Sequence, residues 1–246
     1  SCFVSALLEE YADEWANKAM FHYRWTYEAD QDSAAHRIAE QLLPEGSADA
    51  AIAGMVPGIK GRMIPRLALV GSSPATRPVI EGSFQRCAAL LEAQLQGRPY
   101  LFGGRPSFGD FGLWSQLYQL ASDPTPGTYL RAHTPAVMGW IERMLEPRDQ
   151  GPFEAWDTLA AGLLPLLREE VCGLFLPWSN ANANAVQNRL SQVKVQLGET
   201  PFECGVQKYS ARSLKVLRQR YQSTKNEALD EVLQNSGCLD GLRRSD

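Results

Sequence analysis

Residues 97–113 read GRPYLFGGRPSFGDFGL. Ser107 and Asp110 stand three residues apart, with Pro106 ahead of them and Phe111 behind, at the head of an apolar run. That spacing predicts a helix N-terminus. The Ser107 hydroxyl can accept from the backbone N–H of Asp110, while the Asp110 carboxylate accepts from the N–H of Ser107 and sits near the positive end of the helix dipole. A catalytic Ser–Asp pair would require a base, and no histidine lies close in sequence. Ser107 and Asp110 are therefore read as a structural cap, and the catalytic residues are unknown.

Beyond the box, Phe111, Trp114, Tyr118 and Ala121 form one apolar stripe and Leu113, Leu117 and Leu120 another, so this helix is expected at the centre of a core. Upstream, Phe84, Cys87, Ala88, Leu91 and Leu95 recur at helical spacing, with Ser83 as the expected cap and Gly97 as the stop. From Val4 to about Gln31, Leu8, Tyr11, Ala12, Trp15, Ala19 and Tyr23 mark one long amphipathic helix. Between Pro44 and Gly82, repeated glycines and prolines predict short helical turns in a long connection.

Downstream, Thr134 and Pro135 open a helix that carries Val137, Trp140 and Met144. Another is expected from about Glu154 to Val171, bent or restarted near Pro165, and NANANAVQNRL reads as a further capped helix. Val193, Val195 and Leu197 alternate strictly, predicting a short strand or β-hairpin near 193–204. Two more helices carry Leu214, Leu217 and Tyr221, then Leu229, Val232 and Leu233. The chain reads as all-α, with a helical bundle over 1–150 and a mostly helical extension over 151–246 packed on it.

At 246 residues and 44% hydrophobic content the chain can bury a substantial core. A net charge of -4 and a pI near 5.5 give no general attraction to nucleic acid or to an anionic membrane. The apolar runs LLPLL and VCGLFLPW are broken by Pro165, Arg168, Glu169 and Glu170, so no membrane association is expected. Five scattered cysteines without a CxxC pair fit free thiols in a reducing cytosol, and no metal is expected.

In order, the long amphipathic helix, a helix ending LLEAQLQGRPYLFGGRPSFGDF and a helix introduced by TPAVMGWIERM resemble the C-terminal all-helical domain of the glutathione transferase family. The resemblance runs from about Ser5 to Leu145, and the tail from Gly151 resembles extended bacterial members less specifically. It implies that Ser107 and Asp110 are the family's folding box, and that the protein is a cytoplasmic homodimer acting on a small hydrophobic electrophile. In that family a thioredoxin-like N-terminal domain holds glutathione and supplies the Tyr, Ser or Cys that stabilises its thiolate. No βαβ pattern for such a domain is found in this sequence. Glutathione is thus expected as co-substrate only where that domain is joined, and the chain alone is expected to be inactive. Because SCFVSALLEEYADEW opens inside a helical pattern without an initiator Met, an upstream segment is expected.

By the same resemblance, the first and central helices line the acceptor pocket. Tyr11, Trp15, Trp114 and Tyr118 become candidate substrate-binding residues, since aromatic faces suit flat electrophiles. Aromatics at helical spacing also serve as core, and both readings stay open. Cys87 and Cys172 fall in apolar stripes and are expected to be buried and inert. Among His22, His36 and His133 no pair has metal-ligand spacing, and His22 is read as a capping or surface residue. Lys208, Arg212, Lys215, Arg218 and Arg220 read as a solvated basic helix face, with an RNA or acidic-partner surface as the alternative. Two functions follow: the acceptor-binding part of a thiol-conjugating enzyme, or a non-catalytic protein-interaction module on the same fold.

Overall fold

The computed structural model describes residues 2–243. Its first helical stretch runs through α1 (Cys2–Tyr11), a wide π-turn (Ala12–Ala16) and α2 (Asn17–Thr26). It ends five residues short of the expected Gln31. Tyr27 turns extended (φ -96°, ψ 136°), and the Gln31 amide donates to the Trp25 carbonyl at 2.9 Å, satisfying a helix-end acceptor before α3 (Glu28–Leu42) leads away.

The glycine- and proline-rich stretch departs from expectation. It holds a full helix, α4 (Asp49–Met63), with Pro57 inside it, followed by a 3₁₀ segment (Ile64–Val70). The reason is packing. Val56, Ile59, Met63, Ile64 and Leu67 cover Trp25, Ala34 and Ala35 from α2 and α3, and this small second core outweighs the low intrinsic propensity. α5 (Arg77–Leu95) likewise starts earlier than expected, at Thr76 with Pro78 in its first turn. Ser83 is therefore a buried mid-helix residue and not a cap.

The capping box stands as read. At the head of α6 (Phe108–Ser122) the Ser107 N–H donates to Asp110 Oδ2 at 2.9 Å, and the Asp110 N–H to Ser107 Oγ at 3.4 Å. Yet α6 is not buried on every side. Leu113, Leu117 and Leu120 face inward with Gly109, Asp110 and Gly112, whereas Phe108, Phe111 and Tyr118 are 67%, 45% and 39% exposed. The glycines explain the choice of face. A Cβ on Gly112 would lie 2.9 Å from the Glu9 Cα, and one on Gly109 3.2 Å from the Leu8 Cβ, so α1 crosses α6 where α6 has no side chains. The neighbouring phenylalanines are left facing outward.

α7 (Pro124–His133) and α8 (Pro135–Arg143) close the bundle. α9 (Trp156–Leu166) runs through Pro165 without a break and widens into a π-helical segment (Leu167–Phe175) before α10 (Leu176–Gln187). A two-stranded antiparallel hairpin follows, β1 (Gln192–Leu197) on β2 (Thr200–Gly205), with Val193 opposite Cys204 and Val195 opposite Phe202. α11 (Lys208–Thr224), α12 (Glu227–Asn235) and α13 (Leu239–Arg243) complete the described chain. One apolar core runs from Phe3 on α1 through α5, α6 and α9 to Leu242 on α13. No helix among the described residues is long and apolar enough to cross a membrane.

Candidate functional site

An apolar groove of about 590 Å³ lies between the first turns of α1, the entry into α6 and the end of α11. Phe3 and Ala6 of α1 line it together with Phe102, Phe108 and Phe111 at the entry into α6, and Phe153. The loop carrying Phe102 is held in place by its backbone: Tyr100 and Gly103 exchange hydrogen bonds at 3.1 and 3.2 Å, and the Glu154 N–H donates to the Phe102 carbonyl at 2.9 Å. Glu9 and Arg220 pair across the rim at 3.7 Å. Burial raises the Glu9 pKa above its ordinary value against the pull of Arg220. Such a groove suits a flat apolar body with a polar end. The Ser107 hydroxyl at its edge donates to Asp110 Oδ2 at 2.7 Å within the capping box.

The four aromatic candidates fall into two separate pairs. Tyr11 and Trp15 are fully buried around one carboxylate on the π-helical segment. The Tyr11 hydroxyl donates to Glu170 Oε2 at 2.9 Å, the Ser83 hydroxyl donates to the same oxygen, and Trp15 Nε1 donates to Ser83 Oγ at 2.9 Å. Arg86 pairs with Glu170 Oε1 at 2.7 Å. Burial still raises the Glu170 pKa above the usual carboxylate value, opposed by Ser83, Arg86 and Tyr11. Trp114 and Tyr118 lie together on α6 with tilted rings 5.3 Å apart, Trp114 partly buried against the core and its Nε1 donating to the Ile141 carbonyl at 3.1 Å. Neither pair lines the phenylalanine groove. Phe111, one position short of a turn before Trp114, does. The signal that could have singled out this face is FGDFG itself, where each phenylalanine stands beside a glycine.

Asp110 exceeds a cap. Its Oδ1 also accepts from the Leu101 N–H at 2.9 Å and from Trp140 Nε1 at 3.1 Å, tying the entry loop and α8 to the head of α6. Even so, burial raises its pKa above the ordinary value, the four donors opposing.

His22 is buried, contrary to the surface reading. Its Nδ1 meets Ser72 Oγ at 2.7 Å and its Nε2 meets Glu81 Oε1 at 3.0 Å, while Tyr27 donates to the same Glu81 oxygen. Burial lowers its pKa. The order Ser–His–Glu has the donors of a hydrolytic triad, but Ser72 lines none of the grooves at α1, α10 or α12. The cluster pins α2 to the start of α5.

The basic run divides. Lys208, Arg212, Lys215 and Arg218 line a groove of about 800 Å³ opposite Asn180, Asn184 and Gln187 of α10, while Arg220 turns to Glu9. Cys87 is buried as expected, its thiol pushed up to about 12 by burial and by Glu170. Cys172 is not: it is partly exposed, and the neighbouring Cys238 draws its thiol down to about 7. Among the described residues, no group of three or more His, Cys, Asp or Glu side chains is placed to hold a metal.

The family model for the glutathione S-transferase C-terminal domain matches residues 49–143, which span α4 to α8 and include the capping box. Comparisons with curated proteins and with solved structures gave no match. The all-α bundle, the box that ties its central helix and the matched segment agree: over residues 49–143 this chain is similar to a glutathione S-transferase C-terminal domain.

Proposed function

We propose that the chain is the acceptor-substrate-binding helical part of a glutathione transferase-like protein. The observation that carries this reading is the phenylalanine groove, because it is built by α1 and α6, the two helices from which the acceptor side is expected. Thiol conjugation needs a depressed thiol pKa and two reactants held together, and this chain supplies the second. Glutathione is the co-substrate when a thioredoxin-like domain is joined, and the acceptor is a small hydrophobic electrophile. In this reading Tyr11 and Trp15 hold α1 in place, and Trp114 and Tyr118 extend the apolar surface beyond the groove. The protein works as a cytoplasmic homodimer, which sedimentation would show.

The test is a titration with an anilinonaphthalene sulfonate dye. Phe108→Ala and Phe111→Ala should each weaken binding about five- to tenfold, a loss of about 1 kcal/mol, with the melting temperature unchanged because both rings are exposed. Unchanged affinity in both variants would remove the groove as the site. The chain alone, given glutathione and a chlorinated nitrobenzene, should show no rate above the uncatalysed one.

The second reading, a non-catalytic interaction module, is favoured by the basic groove opposite the α10 amides. It requires that an acidic peptide bind there and that Arg212→Glu with Lys215→Glu abolish binding. The dye site would be untouched by that change.

A further inference from the structure

Cys172 lies on the π-helical segment, and its thiol donates to the Gly237 carbonyl at 3.2 Å. Cys238, the next residue after Gly237, is fully buried and directs its thiol to the Leu167 carbonyl at 3.5 Å, one π-turn before Cys172. The Cys172 sulfur thus rests on the carbonyl of the residue bonded to Cys238. Gly237 (φ +75°) makes this approach possible: a Cβ there would stand 2.9 Å from Cys172 Sγ. The glycine lets the turn into α13 close over the sulfur.

We propose that Cys172 and Cys238 are a redox modification site, a thiol pair that closes to an intramolecular disulfide under a hydroperoxide and reopens with a thiol reductant. The two cysteines divide the work by their surroundings. Cys172 is the partly exposed member, and Cys238 beside it draws its thiol down to about 7, so Cys172 is the one that meets the peroxide and reacts as thiolate. Cys238 is buried, and its neighbour Cys172 and burial both hold it protonated. The Cys172 thiolate attacks one peroxide oxygen, the O–O bond breaks, and the leaving hydroxide or alkoxide takes a proton to give water or an alcohol. The resulting Cys172 sulfenic acid is then attacked by Cys238 sulfur. The S–S bond forms, the S–O bond breaks, and the Cys238 proton leaves with the hydroxyl as water. Both thiols are oxidised and one peroxide is reduced. The remaining three cysteines lack this arrangement: Cys2 is exposed at the start of α1, Cys87 is buried beside Tyr11, and Cys204 is buried under Trp178 Nε1 at 3.4 Å. The bond would fasten α13 to the segment that carries Glu170, so the oxidation state reaches the carboxylate that anchors α1.

The experiment uses the full chain with Cys2→Ser, which removes the exposed thiol that would pair between molecules. After stoichiometric hydrogen peroxide and alkylation, non-reducing digestion should yield the Cys172 peptide joined to the Cys238 peptide, lacking two hydrogens. The alkylatable thiol count should fall by two and return with dithiothreitol. In Cys238→Ser a dimedone probe should trap Cys172 as sulfenic acid. Alkylation of both cysteines after peroxide would overturn the proposal, as would sulfinate at Cys172 with Cys238 still a thiol in the parent chain. The linked peptide decides even where the Cys238 variant fails to fold.

Discussion

Replacing Asp110 with Ala tests whether the box is a cap or a structural hub. The substitution removes the acceptor for four donors: the Ser107 N–H and hydroxyl on Oδ2, and Leu101 N–H and Trp140 Nε1 on Oδ1. The Ser107 groups can turn to water. Leu101 and Trp140 are both fully buried, and their donors would be orphaned at about 1–3 kcal/mol each. Against this, the desolvation that raises the Asp110 pKa is relieved. The net loss expected is about 3 kcal/mol, where an ordinary cap costs about 1. For a chain of this size that is a fall in melting temperature of about 6–12 °C. Urea melts of Asp110→Ala, Ser107→Ala and Trp140→Phe, with the Asp110–Trp140 double variant, should give about 1 kcal/mol for Ser107→Ala and a coupling of about 1–2 kcal/mol in the cycle. Because the folded pKa is raised, the contribution of Asp110 is full below 3.8 and shrinks as pH rises through the folded value, so the gap between parent and variant widens on acidification. Equal losses for Asp110→Ala and Ser107→Ala, with no coupling to Trp140, would refute the hub.

Lys18 is 1% exposed, with its ammonium 3.7 Å from the Trp178 ring centre, and burial lowers its pKa from 10.5 to about 8. That depression corresponds to about 3 kcal/mol against the charged form, of which the tryptophan returns about 1. Lys18→Met should therefore stabilise the fold at neutral pH by about 2 kcal/mol, with the gap closing as pH rises from about 8 toward 10.5; destabilisation at neutral pH would contradict this. Gly112→Ala drives a methyl to 2.9 Å from the Glu9 backbone and should cost about 1–3 kcal/mol in a urea melt. Gly139→Ala on α8, with nothing within 4 Å, should be neutral or stabilising by about 0.5–1 kcal/mol, and similar losses for both would discount the helix crossing. Glu170 has a raised folded pKa, so its contribution is full below 4.5 and is lost as pH rises through the folded value. Thermal melts across that range should show a flatter pH dependence for Glu170→Gln than for the parent chain, and parallel curves would count against it.

The sequence by itself determined the elements whose signals are local. Ser107 and Asp110 satisfy each other's backbone across three residues, and Val193, Val195 and Leu197 alternate, so the helix start and the hairpin could be read without any partner. The inward stripe Leu113, Leu117 and Leu120 could be read from its period alone. Tertiary structure decided what depends on a distant neighbour. The segment after Pro44 becomes α4 because Trp25, Ala34 and Ala35 receive its apolar face. Phe108 and Phe111 turn outward because α1 needs the side of α6 occupied by Gly109 and Gly112, and a helical period cannot say which of two apolar faces a partner will take. Ser83, Tyr11 and Trp15 become one hydrogen-bonded group only because Glu170 arrives from a segment far along the chain. Cys172 meets Cys238 for the same reason, through a turn that places a carbonyl against its sulfur. A period of 3.6 residues reports that a face will be buried; which atoms bury it is set by the close packing of the whole chain, where each contact exists only once the others have formed.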